Sequence, residues 1–292
     1  MLDMGNPEVT DYLEKSFTRL FKECDIQYVK WDMNRHLSEA GSSILPQNRQ
    51  SEVFHRYVIG VYRLFGNLKS KFPNILFESC SGGGGRFDLG MLAFSPQIWT
   101  SDNTGPYERV AIQYGTSFAY PVSAMGAHVA ANFHWLPGRS HNLDFRYKTA
   151  SFGVLGYELN ITKMTEEELA EIKSQIEAYK EIEHLIQKGD LYRLISPFQS
   201  NRAAAGIVSK DKKEAAVWYW QLSGESNGPV ERLKLDGLDP ERVYEVTGDL
   251  SGRFTGDTLM YAGLRFPILS GDGKAIFLRL SSILEKEESF HA

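Results

Sequence analysis

The sequence predicts an α/β fold, a parallel sheet with crossover helices, followed by an antiparallel β domain. Three observations carry this expectation. Up to about residue 190, short apolar runs alternate with longer segments of helical period, and that repeat means parallel strands joined by crossovers. Beyond that point the runs take on period two, separated by Gly, Asp, Asn and Ser clusters, the pattern of a sandwich. The length of 292 residues suits a barrel with an appendage.

Asn6-Pro7 opens the first helix, a polar cap followed by Pro, and Val9, Leu13, Phe17, Leu20 and Phe21 form its apolar face. Residues 26–31 read as a strand ending at Asp32, 51–71 as a helix and 74–78 as a second strand. The glycine loop Ser81 to Arg86 follows, then a strand over 96–100 ending at Ser101-Asp102-Asn103. Phe118 to Pro121 and Gly156 to Leu159 are weaker strand candidates. The helix over 165–188 has the clearest ends, a Thr165/Glu168 capping box and a terminating Gly189. Period-two runs occupy 215–220, 243–246 and 275–280. The domains expected are therefore 1–189, 190–285 and a charged tail over 286–292.

Composition narrows the function. Acidic residues outnumber basic ones, 37 against 32, for a formal charge of -5, which argues against a nucleic-acid binder. No apolar run approaches the roughly 20 residues of a membrane span, and MLDMGNPEVT lacks the basic start and apolar core of a secretory signal. A cytoplasmic location is expected. Two cysteines, Cys24 and Cys80, allow neither a disulfide framework nor an all-cysteine zinc site. An aromatic content of 12% suits a flat-faced ligand such as a sugar as well as it suits an aromatic core.

In a parallel barrel the reacting groups gather at the C-terminal ends of strands. Two strands here end in aspartate, at Lys30-Trp31-Asp32 and at Trp99-Thr100-Ser101-Asp102. Glycoside hydrolysis needs such a pair, one carboxylate to attack the anomeric carbon and one to protonate the leaving oxygen. Trp31 and Trp99 would supply apolar walls for a sugar ring. A single strand-end Asp more often caps the following turn; two, each beside a Trp, favour function. The SGGGGR run allows close backbone approach to a ligand but fits neither the Walker nor the dinucleotide pattern, and spacing alone favours a surface turn. Cys80 has no neighbouring His and reads as a small core residue. His128, His134 and His141 match no metal spacing. No G-x-S-x-G elbow is present.

Three segments, Lys30 to Arg35 (KWDMNR), Cys80 to Asp88 (CSGGGGRFD) and Gln97 to Thr104 (QIWTSDNT), resemble the signature of bacterial α-galactosidases of glycoside hydrolase family thirty-six. Further matches at 112–117, 125–129 and 152–159 extend the resemblance over nearly the whole chain. It implies a (β/α)8 TIM-type barrel, here incomplete at about strands 4 to 8, then an antiparallel β-sandwich. It implies a retaining exo-α-galactosidase acting on terminal α-galactosides of the melibiose and raffinose type. Asp32 would be the nucleophile and Asp102 the acid/base, with Lys30, Asn34, Cys80, Gly82 or Gly83, and Trp99 binding the sugar. No metal or organic cofactor is implied, since two carboxylates suffice, and the full-length enzyme would be a homo-oligomer. The chain would be the C-terminal part of such an enzyme, inactive alone for want of the N-terminal part. A non-catalytic sugar-binding fragment and an α-N-acetylgalactosaminidase are the alternatives. Gly105-Pro106-Tyr107 stands where the family usually carries Asp after S-D-N-T, so a different helix entry after Asp102 is expected.

Overall fold

The computed structural model describes residues 1–131, 142–226 and 232–283. His134, His141 and the tail expected over 286–292 lie outside the described residues. The chain forms two compact units, Met1–Asp102 and Asn103–Ala292.

In the first unit, Asn6 caps helix α1 (Pro7–Glu23) by accepting from the Glu8 N–H at 3.0 Å, with Pro7 in the first turn. Strand β1 (Tyr28–Trp31) follows, then helix α2 (Val53–Lys71), entered through a 3-10 turn over Gln47–Glu52. Strand β2 (Leu76–Ser79), the short helix α3 (Leu89–Leu92) and strand β3 (Gln97–Trp99) complete the unit. The three strands pair in parallel, Lys30 opposite Glu78 and Glu78 opposite Gln97. A core of Phe21, Tyr57, Leu64, Phe65, Leu68, Phe77 and Ile98 sits between helices and sheet. Gly60 is the point where the N-terminal segment crosses α2: a Cβ there would stand 1.8 Å from the Met4 carbonyl oxygen, a contact no side chain tolerates.

In the second unit, helix α4 (Pro106–Thr116) opens at Gly105 without a side-chain cap. Strand β4 (Met125–Ala130), helix α5 (Leu143–Ala150) and strand β5 (Val154–Glu158) follow, and β4 and β5 pair in parallel with His128 opposite Gly156. Helix α6 (Glu166–Lys188) carries the expected capping box. Gly189 ends it in extended geometry, and glycine is needed there for room: a Cβ would meet Ile207 Cγ2 at 2.4 Å. The antiparallel part then begins with β6 (Asp190–Ile195), β7 (Arg202–Val208), β8 (Glu214–Gln221), β9 (Arg232–Leu233), β10 (Val243–Gly248), β11 (Gly252–Thr255), β12 (Leu264–Arg265) and β13 (Lys274–Ile283). Six of these form one sheet in the order β11-β10-β13-β8-β7-β6, and β9 pairs with β12.

One strand expectation is corrected. Phe118 to Pro121 is a turn, and the strand of that region is β4, a few residues later. The period-two run in β8 is buried on both faces. Val217 and Tyr219 enter one core cluster, while Trp218 and Trp220 pack on Phe152 at 5.4 and 5.6 Å. Among the described residues no helix is long and apolar enough to cross a membrane.

Candidate active site

Strand alternation decides which residues of the KWD segment share a face. Lys30 and Asp32 lie on one side of β1 and Trp31 on the other. Trp31 is turned into the helix layer, its ring 4.5 Å from Phe17 and 4.7 Å from Phe65. The structure therefore places it away from the wall position expected from the sequence.

Asp32, one residue past β1, is exposed and ringed by donors. Its Oδ1 accepts from the Met33 N–H at 2.7 Å and from the Gly82 N–H at 3.4 Å, and its Oδ2 accepts from Asn34 Nδ2 at 2.9 Å. Burial pushes the Asp32 carboxyl up, but the Cys80 thiol, the Asn34 amide and these backbone N–H groups outweigh it and hold it below the usual carboxylate range. Cys80 shows the reciprocal effect. Burial and its bond to Asp32 push the thiol up to about 12, so it stays protonated and donates. Asn34 Oδ1 accepts from Gly82 N–H at 3.0 Å, tying the Asp32 segment to the loop.

The loop is packed, contrary to the surface turn favoured by spacing. Gly82 and Gly83 have φ of 53° and 83°, left-handed values that favour glycine. A Cβ on Gly83 would stand 2.9 Å from the Asp102 backbone nitrogen, and one on Gly84 2.7 Å from the Thr100 carbonyl oxygen. The loop thus fills the space between the ends of β1 and β3 and touches the segments bearing both aspartates. Arg86 fastens it from behind: one Nη2 donates to the Trp31 carbonyl at 3.0 Å and the Cys80 carbonyl at 2.7 Å.

Asp102 is exposed, and its Oδ1 accepts from Trp99 Nε1 at 2.9 Å. Trp99 itself is only 3% exposed, and Lys30 Nζ stands 4.4 Å from the centre of its ring. Lys30, Asp32, Asn34, Cys80, Gly82, Gly83, Trp99 and Asp102 are thus grouped around one loop, while Trp31 joins it through its backbone carbonyl alone and turns its ring away. Sequence reasoning missed Glu78, whose signal was an acidic residue inside an apolar strand. It also left Arg86 without a role. Among the described residues no group of three or more His, Cys, Asp or Glu is placed to hold a metal ion.

An exposed carboxylate pair at parallel strand ends, joined by a glycine loop, is an arrangement that glycoside hydrolysis can use. Two family models match the chain, Melibiase over residues 1–189 and the glycosyl hydrolase family 36 C-terminal domain over residues 202–280. The chain belongs to the melibiase family, family 36 of the glycoside hydrolases. It is 49% identical to alpha-galactosidase AgaA of Geobacillus stearothermophilus over 97% of its length and 38% of that enzyme's. Alpha-galactosidase 1 of Pediococcus pentosaceus is 44% identical over 93% of this chain and 37% of its own. The crystal structure of AgaA superposes with a TM-score of 0.93 at 49% identity, covering 97% of this chain and 39% of that one. Variants of AgaA solved with raffinose and with stachyose match at a TM-score of 0.93 and 48% identity over the same shares. The chain spans about two fifths of the length of these relatives. The fold it shares with them is the one expected from its sequence, part of a TIM-type barrel followed by a β-sandwich.

Proposed function

We propose that this chain carries the catalytic carboxylates of a retaining exo-α-galactosidase acting on terminal α-galactosides of the melibiose and raffinose type. The observation that carries the reading is Asp32: exposed at a strand end, held ionised by four donors and linked through the glycine loop to Asp102. Asp32 attacks the anomeric carbon and forms a covalent galactosyl-enzyme as Asp102 gives its proton to the departing oxygen. Asp102 then takes a proton from water as the water oxygen bonds the anomeric carbon and the bond to Asp32 breaks, which releases the sugar and the free Asp32 carboxylate. Lys30, Asn34, Cys80, Trp99 and the Gly82–Gly83 backbone meet the sugar hydroxyls. The raffinose and stachyose complexes of AgaA variants support the substrate class. In each of those variants an aspartate is replaced, and the two positions are as far apart in that chain as Asp32 and Asp102 are in this one.

We keep the boundary at 189/190, where parallel pairing gives way to the antiparallel strand β6. A reducing, cytoplasmic setting suits a free thiol bonded to the nucleophile, and a homo-oligomer is proposed for the full-length enzyme. The 292 residues alone are expected to turn over little. They supply five parallel strands among the described residues, against eight in a closed barrel, which leaves the sugar held loosely. The test is to assay the purified chain with an aryl α-galactoside and its 2-acetamido analogue. It is measured alone and with the N-terminal part of the Geobacillus relative supplied in cis or in trans. Rescue of galactoside cleavage supports the reading. No cleavage in any combination, or cleavage of the 2-acetamido sugar alone, overturns it.

A further inference from the structure

Glu78, in the middle of β2, carries a carboxylate that neither aspartate uses. Its side chain is 1% exposed. Strand register sets it directly between Lys30 on β1 and Gln97 on β3. Its Oε2 accepts from the Tyr28 hydroxyl and from Gln97 Nε2 at 3.2 Å. Its Oε1 accepts no hydrogen bond and faces Lys30 Nζ at 3.7 Å, the one ion pair Glu78 makes among the described residues. A carboxylate this far from water needs a cation, and a lysine stem is long and flexible unless something fixes its head. The Lys30 ammonium is gripped on two sides, by Oε1 of Glu78 and by the ring of Trp99.

We propose that Glu78 is a positioning residue, which anchors the Lys30 ammonium by charge so that its N–H bonds are aimed at the sugar beside Asp32. This rests on the reading that Lys30 meets a sugar hydroxyl. Tyr28 and Gln97 complete the device by occupying Oε2, which leaves Oε1 to Lys30. The effect belongs to substrate binding more than to bond cleavage, because Lys30 meets the sugar both before and in the transition state.

The test is a double-mutant cycle of Glu78→Gln and Lys30→Met, measured on the preparation that shows turnover and, by thermal melting, on the 292-residue chain. Each single change is expected to raise KM for an aryl α-galactoside about tenfold and to leave kcat within about threefold, the loss of one charged hydrogen bond. The double variant should be no worse than Lys30→Met alone. In melting, Lys30→Met strands a buried carboxylate and lowers the midpoint, and adding Glu78→Gln should return most of that loss. Additive losses in KM, a Glu78→Gln defect confined to kcat, or additive midpoint shifts would each overturn the proposal. Coupled melting with an unchanged KM in Lys30→Met would reduce Glu78 to an ion-pair partner, and so would also count against it. Melting needs no turnover, so it judges the pairing even if the galactosidase reading fails.

Discussion

Asp32 and Asp102 hold equivalent places, each just past the end of a parallel strand, yet their surroundings differ. Asp32 collects a thiol, a side-chain amide and two backbone N–H groups. Among the described residues, Asp102 accepts from the Trp99 indole. A carboxylate wrapped in donors keeps its charge through a reaction, as an attacking group should. Position on the fold sets where a carboxylate stands, and its neighbours decide what it does.

The comparison breaks first at Asp32. As nucleophile, Asp32→Gly should lose at least about 10³-fold in kcat, and azide should restore part of the rate while forming β-galactosyl azide. A variant that keeps a substantial rate without azide would remove Asp32 from the mechanism. Asp102 comes next. As general acid it matters most for poor leaving groups, so Asp102→Ala should cost melibiose hydrolysis roughly 10³-fold. An aryl galactoside with an acidic phenol should lose about tenfold or less in its first step. Equal losses on both substrates would make Asp102 structural and erase the contrast.

A smaller effect sharpens the difference between the two carboxylates. Cys80→Ala removes one of the donors that hold Asp32 below its usual range. With the donor gone the carboxyl is protonated at higher pH, so the acid limb of kcat/KM should move to higher pH while the basic limb stays. Since the folded state favours the ionised form, the contribution to stability is present above the unfolded carboxyl's range and fades as pH falls; Cys80→Ala weakens it. An unmoved acid limb would show that the thiol does not set the charge of Asp32.

Much of this was legible in the sequence because the signals are local. Helix α6 announces itself by Thr165, Glu168 and Gly189, and the strand-end aspartates by their place after apolar runs. Strand β4 was not legible, since Met-Gly-Ala-His-Val-Ala is mostly small and buried, shows no alternation and has a single β-branched residue, whereas the aromatic Phe118 to Pro121 segment imitated a strand. Glu78 escaped because its meaning lies in the register of three strands, which no single segment contains. The glycine run likewise reads as a turn until Ser101 and Asp102 are seen packed against Gly83.

The mildest prediction concerns Trp31, where sequence proximity and side-chain direction disagree. It adjoins Asp32 in the chain, yet β1 turns its ring onto Phe17 and Phe65, among the residues packed against the core of the first unit. Trp31→Phe keeps an aromatic in that layer but leaves part of the indole volume empty, at a cost of about 1–2 kcal/mol of stability. Because the ring lies across the strand from Lys30 and Asp32, KM for a galactoside should change by less than about twofold, too little for the loss of a sugar contact. Urea unfolding and steady-state kinetics on the same variant separate the two roles. A raised KM with unchanged stability would return Trp31 to the sugar and put the face assignment of β1 in error.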